Sequence, residues 1–401
     1  MTEHLTIGFL PLVDACLPIL AHEHGFAEEE GLALSFQRDV SWATVLDRLL
    51  YGHSDAAHLI APLAIATTLG RGRPAQPLAA PFVLGLNGNA ITFSPALADA
   101  VGAPVGALGD PRTIGAALAA AAAGGRRLRF GVVHRYSSHN YMLRYWLAAS
   151  GIAPDADVEI VTVAPPFVAD ALESGEIDGT CVGEPWSSVA VERGVGRIVL
   201  ATAQIWRRGV EKVLALRQTR LDERREAVEA LIRAMRKAGA HFVKPENWET
   251  NAAILAGERY LRSDPELVLR AISDRLVLSR GTEPIHYPDF MFQHREAANF
   301  PWVSQAEWLY TQMVRWDGTP FRAEDARQAA AVFRPDVYRS ALKGTGDLLP
   351  GASSKVEGSL DRPTAVTAQQ GAMVLEQNSF FDGRTFDPDD LEGYLASFAS
   401  G

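Results

Sequence analysis

Five short runs carry side chains able to hold a small polar ligand. Ser41-Trp42 stands where a strand gives way to a helix, so backbone N–H groups can hold an anion while Ser41 caps the helix and the Trp42 indole N–H adds a donor. The same pair also reads as an N-cap followed by a core residue. Asn87-Gly88-Asn89 offers amide donors, or simply a turn. His134-Arg135-Tyr136-Ser137-Ser138-His139 lies between a strand and a helix, which puts Ser138 and His139 beyond the carboxyl end of a strand, where open α/β sheets meet ligands. A helix cap and a satisfied surface histidine are the plainer readings there. In Cys181-Val182-Gly183-Glu184-Pro185-Trp186 the cysteine has no neighbouring base and reads as a small buried side chain, while Glu184 either caps a helix or bridges two parts of the molecule. Lys212 precedes a strand and is either a buried positive charge or a solvated side chain.

These groups bind; they do not assemble into reaction machinery. There is no GxxxxGK loop, no HExxH and no GxSxG. His22-Glu23-His24 places metal-capable side chains together, but residues two apart point to different helix faces, and His53 and His58 are no more persuasive as ligands. Two cysteines far apart, Cys16 and Cys181, indicate neither a disulfide framework nor a structural zinc site. A binding protein with no cofactor and no metal is therefore expected rather than an enzyme. The formal charge of −10, from 38 basic and 48 acidic residues, argues against general attraction to nucleic acid, although one cation in a closed cleft can still set the local potential.

The 401 residues, 47% hydrophobic and 21% charged, suffice for two or three folded units. Short β-branched runs alternate with helical periodicities, the pattern of α/β layers around a mostly parallel sheet. Strands are expected at 5–10, 32–37, 56–60, 129–133, 158–163 and 180–182, with helices at 18–24, 43–50, 111–123, 141–149 and 166–174. Longer amphipathic helices follow at 222–243, 264–278, 302–314 and 323–332. Helices that return to cover the first unit give two lobes with a cleft between them: residues 1–86 and 213–343 as lobe I, and 87–212 as lobe II. The crossings fall near 85–90 and 210–216. Residues 344–371 read as a linker or loop. Phe380, Phe381, Phe386, Tyr394 and Phe398 anchor a tail over 372–401 on the body. Met1-Thr2-Glu3-His4 runs into Leu5–Leu10 with no basic stretch or long apolar run. If Met1 is the true start, a cytoplasmic protein without a membrane span is expected.

The runs Ile7-Gly8-Phe9 with Asp14-Ala15, Ser41-Trp42-Ala43, Asn87 to Thr92, His139 with Arg144 to Ala148, Cys181 to Trp186, and Ile205-Trp206 with Glu211-Lys212 together resemble the nitrate- and bicarbonate-binding proteins of ABC importers, over about residues 5–340. The resemblance implies a two-lobed, periplasmic-binding-protein-like (type II) fold closing on a planar oxyanion. It implies that Trp42 contacts the anion, that His139 and Lys212 add polar or charged contacts, and that Asn89 stands where relatives carry the longer Gln. Ser41, Ser138 and Glu184 complete the candidate set. Nitrate or nitrite is expected over bicarbonate, whose O–H calls for an acceptor that the sequence does not place. With no export segment in view, the chain is similar to cytoplasmic nitrate/nitrite sensors. In those, the resemblance implies, the free protein sequesters an RNA-binding antitermination regulator of the ANTAR type and releases it when the anion binds. An importer's binding component is the alternative, and an enzyme on the same scaffold a third. Trp42→Ala and Lys212→Ala are expected to weaken anion binding without unfolding the chain.

Overall fold

The computed structural model describes residues 2–398; Met1 of the first lobe's expected range and 399–401 of the tail's lie outside it. Ten strands carry the architecture: β1 (Glu3–Phe9), β2 (Leu32–Arg38), β3 (Ala56–Ile60), β4 (Leu78–Asn87), β5 (Asn89–Phe93), β6 (Leu128–Val132), β7 (Val158–Thr162), β8 (Gly179–Gly183), β9 (Arg197–Ala201) and β10 (Val210–Arg217). They form two mixed sheets. The first runs β4-β10-β3-β1-β2, with the short strand Met291–Phe292 beside β4; the second runs β7-β6-β8-β5-β9. In the first, β1 is parallel to β2 and β3, while β10 is antiparallel to β3 and β4. In the second, β6 is parallel to β7 and β8, and β5 is antiparallel to β8 and β9. The α/β, two-lobed expectation is met. Strands β3 and β4 are buried along their whole length.

The helices that matter to the cleft begin at capped turns. Trp42–Leu50 buries Trp42, Val45, Leu46 and Leu49, the i, i+3, i+4, i+7 stripe of a core-facing helix. The Ser137 hydroxyl accepts from the Asn140 N–H at 3.0 Å, so the next cleft helix starts at Ser138, not Tyr141, and takes Ser138 and His139 into its first turn. The expected helix 222–243 is two, Gln218–Glu223 and Arg225–Phe242; Arg224 leaves helical geometry and donates to the His4 carbonyl at 2.9 Å.

Strand β4 ends in the first sheet at Asn87 and β5 begins the second at Asn89, so the chain changes lobes at Gly88, whose φ of 83° suits glycine. The return crossing is 202–209, earlier than the expected 210–216, because the first sheet takes up β10 from Val210. Lys212 therefore stands on lobe I rather than closing lobe II. Asn87 fastens the two crossings together. Its Nδ2 donates to the carbonyls of Arg207 (2.7 Å) and Asp289 (3.0 Å), and its Oδ1 accepts from the Gly209 N–H (3.1 Å). Asn87→Ala is expected to destabilise the chain by about 2 kcal/mol, since it leaves buried backbone groups unpaired. A shift of the urea midpoint with unchanged slope reports this, and an unchanged midpoint would mean that the crossings hold without it.

The segment 344–371 is not merely a linker. Thr364–Thr367 pairs with Ala372–Leu375 in an antiparallel hairpin that buries Met373 and Leu375, too short for periodicity to reveal. Beyond it the tail docks over the return crossing. Phe380 stacks on Trp206 at 5.0 Å, and the Phe381 N–H donates to the Ile205 carbonyl at 2.9 Å. No helix among the described residues is long and apolar enough to cross a membrane.

Candidate functional site

Lobe I supplies most of the site. Asp14 sits in the turn after β1, Trp42 opens its helix, His58 lies mid-β3, and Glu211 and Lys212 are consecutive on β10. Neighbours on a regular strand point to opposite faces. Here Val210 pairs with Leu86 and Lys212 with Gly85, so Glu211 is the extra residue of a bulge. The bulge lets both side chains meet, since Lys212 Nζ binds Glu211 Oε1 at 2.5 Å. Lobe II brings Ser138 and His139 on the first turn of their helix, with Asn89 and Glu184 at the lobe-crossing ends of β5 and β8.

The ionic core is a chain of five groups. Lys212 Nζ is 2.9 Å from Asp14 Oδ2, and the other Asp14 oxygen meets His58 Nε2 at 2.8 Å. Glu211 Oε1 faces His139 Nε2 across the lobes at 3.3 Å. The Lys212 ammonium stands 5.5 Å from the centre of the Trp42 ring, and the rings of Trp42 and His58 are 5.2 Å apart. Trp42, His58, Ser138, His139, Glu211 and Lys212 are at most 2% exposed, so the lobes are closed over them. Two main-chain contacts fasten the closure: the Val13 N–H donates to the Glu184 carbonyl at 2.9 Å, and Trp186 Nε1 donates to the Pro11 carbonyl at 3.1 Å.

Burial pushes the Asp14 carboxyl up, but Lys212 and His58 outweigh it and hold it well below the usual carboxylate range. Burial likewise lowers the Lys212 ammonium, and Asp14 and Glu211 reverse the shift and raise it. Burial prevails at the histidines: His58 is lowered, and His139 falls to about 4 despite Glu211. At neutral pH the core therefore carries two carboxylates, one ammonium and two neutral imidazoles. Lys212 is already doubly paired. Several polar atoms remain sealed without a hydrogen-bond partner: Trp42 Nε1, His58 Nδ1, both ring nitrogens of His139, Asn89 Oδ1 and Glu184 Oε1. Buried polar atoms in this state are what a small polar ligand would satisfy.

The structure thus joins Trp42, His139 and Lys212 in one cluster, with Ser138 beside Glu211. Asn89 faces Gly183 across β5 and β8, next to Glu184. Glu184 fills both of its expected roles. Its Oε2 caps through the Ser188 N–H at 3.3 Å, and its carbonyl bridges the lobes to Val13; burial raises its carboxyl to about 7. Ser41 caps its helix: its half-buried hydroxyl accepts from the Thr44 N–H at 3.2 Å and lies 2.8 Å from Thr44 Oγ1. Sequence reasoning missed Asp14, His58 and Glu211 as site residues, although Asp14 and Glu211 stood within the matching runs. The ground for preferring nitrate also goes, because two carboxylates stand in the cluster after all.

A model of the NMT1-like family matches residues 1–256. The chain is 30% identical over 398 residues to the nitrate import ATP-binding protein NrtC of Synechocystis sp., and 30% over 398 residues to the bicarbonate transport ATP-binding protein CmpC of Synechococcus elongatus. Each match covers 98% of this chain but only 55% and 54% of those longer proteins, so the chain spans about half the length of these relatives. It is 27% identical over 401 residues to the nitrate/nitrite binding protein NrtA of Nostoc sp., covering 99% of this chain and 86% of that one. Among solved structures, the periplasmic nitrate-binding protein NrtA from Synechocystis superimposes with a TM-score of 0.86 at 26% identity, over 99% of this chain and 98% of that one.

Proposed function

The chain belongs to the NMT1-like family, and from that premise we propose that it is a non-catalytic binding protein for nitrate or nitrite, of the kind that serves an ABC importer. The observation that carries the reading is the sealed cluster around Lys212, with the unpaired Trp42 N–H and the unpaired His139 nitrogen beside it, in a chain similar along its length to nitrate-binding proteins. The ligand's oxygens take the Trp42 N–H and the His139 ring. Lys212 acts at one remove, holding Asp14 and Glu211 in place rather than waiting as a free cation. Bicarbonate is the competitor, since one relative is named for its transport.

Trp42→Phe tests the assignment, because it keeps an aromatic face while removing the indole donor and leaving only a small cavity. Loss of one hydrogen bond to a charged ligand is worth roughly 1.5–3 kcal/mol, so nitrate affinity should fall at least tenfold in calorimetric titration at fixed ionic strength. Equal affinity would remove Trp42 from the site.

A second reading keeps the same binding chemistry in a cytoplasmic setting, where the free protein holds an RNA-binding antitermination regulator of the ANTAR type and the anion releases it. It requires that nitrate lower the affinity for that regulator. If co-purification with an ANTAR-type regulator were unaffected by nitrate, the importer reading would stand alone.

A further inference from the structure

Away from the lobe-lobe cleft, a cavity of about 560 Å³ opens where the tail lies against the end of the helix Ser138–Ala149. Its walls include Ala148, Ile152, Trp316 and Phe398, and its charged lining is two guanidiniums, Arg315 and Arg384, against one carboxylate, Asp382. That carboxylate is occupied. It accepts from the Tyr145 hydroxyl at 2.9 and 3.0 Å and meets Arg384 at 3.5 Å.

Arg315 is the unusual member. It has no ion pair and no hydrogen bond among the described residues, and its Nη1 is sealed from water without a partner. Arg208, by contrast, binds both Asp289 and Glu296, and Arg71 binds Asp317. Three rings pack on its guanidinium, with Phe398 at 3.5 Å, Trp316 at 4.3 Å and Tyr145 at 5.7 Å from ring centre to guanidinium carbon. Burial lowers its pKa to about 10, with Arg384 adding to the fall. Aromatic faces compensate a desolvated cation in part; a counter-anion would do so more fully.

We propose that this cavity is a second ligand site, separate from the cleft, that takes a small organic carboxylate with an apolar or aromatic body. The carboxylate would pair with the unmatched Arg315, and the body would lie along Ala148, Ile152 and the rings. The volume lies within the range of small-molecule pockets and far exceeds what nitrate fills. Tyr145 and Ala148 belong to the same helix that carries His139 into the cleft, while Arg315 and Trp316 stand on the helix Val303–Asp317, so an occupant touches both.

The test uses the full chain with the cleft saturated by nitrate and ionic strength held constant. Benzoate is titrated by calorimetry, with benzyl alcohol as the uncharged analogue. Saturable binding of benzoate is expected, at least tenfold tighter than benzyl alcohol and weakened at least tenfold in Arg315→Gln, with nitrate binding unchanged in that variant. Ala148→Phe, which fills the cavity and leaves Arg315 in place, should abolish benzoate binding as well. No saturation with benzoate, equal binding of the alcohol, or equal binding in both variants would overturn the proposal.

Discussion

Replacing Lys212 with Ala should cost the chain roughly 3–5 kcal/mol of stability and abolish nitrate binding, because it strands the buried carboxylates of Asp14 and Glu211 without a cation. From the sequence, the same substitution is expected to weaken binding alone. The difference lies in burial: Lys212 is 0% exposed and held by two carboxylates, so it belongs to the folded core before it belongs to any ligand. Sign and window follow from the pKa directions. The folded-state pKa of Asp14 is depressed, so its contribution is present above the ordinary aspartate pKa and is lost as pH falls toward its lowered value. That of Lys212 is raised, so its share is complete below the ordinary lysine pKa and is lost only as pH rises through the raised one. Lys212→Met combined with Asp14→Asn and Glu211→Gln should recover stability without recovering nitrate. Denaturation in urea reads the first effect, and a Lys212→Ala midpoint equal to wild type would mean that the buried triad does not exist in solution.

Nitrate affinity should fall about tenfold for each pH unit from about pH 5 upward, until the pKa that His139 reaches in the complex. The reason is which nitrogen holds the proton. His139 Nε2 faces the Glu211 carboxylate at 3.3 Å without completing a hydrogen bond; a proton on that nitrogen, toward the negative charge, leaves the neutral ring a lone pair at Nδ1, and nitrate has only lone pairs of its own. Binding therefore needs a proton on a ring whose free pKa is about 4, and the complex takes one up. Glu211, Lys212 and Asp14 are the charged groups that act on that ring; their mutual pairing leaves one net negative charge, so an added anion needs the proton for balance as well. Bicarbonate carries its own O–H and can donate to the neutral nitrogen with no uptake. Titration at pH 7 in two buffers of different ionisation enthalpy separates the cases. A buffer-dependent heat is expected for nitrate and a buffer-independent heat for bicarbonate, whereas equal heats for nitrate in both buffers would exclude the coupling.

Much of the fold is legible in the residues, because β-branched runs and capped amphipathic helices announce themselves locally. Ser41 sits at a real helix start, and the turn at Gly88 is where the chain changes lobes. What local pattern does not carry is partnership. Nothing in the spacing of Asp14, His58 and Lys212 says that they form one ionic chain; that follows from the order of β1, β3 and β10 in a single sheet. Nor does alternation foretell Glu211, whose place depends on a bulge that brings two consecutive side chains together. The Thr364–Leu375 hairpin escapes for a simpler reason, since four-residue strands are shorter than the window in which a period can be seen.

The most direct test of where the ligand sits is a crystal structure of the nitrate-soaked chain. The account predicts one ordered anion in the closed cleft, within hydrogen-bond distance of Trp42 Nε1 and His139 Nδ1, with Lys212 still paired to Asp14 and Glu211. An anion bound elsewhere, or Lys212 drawn away from both carboxylates to meet it, would contradict the account.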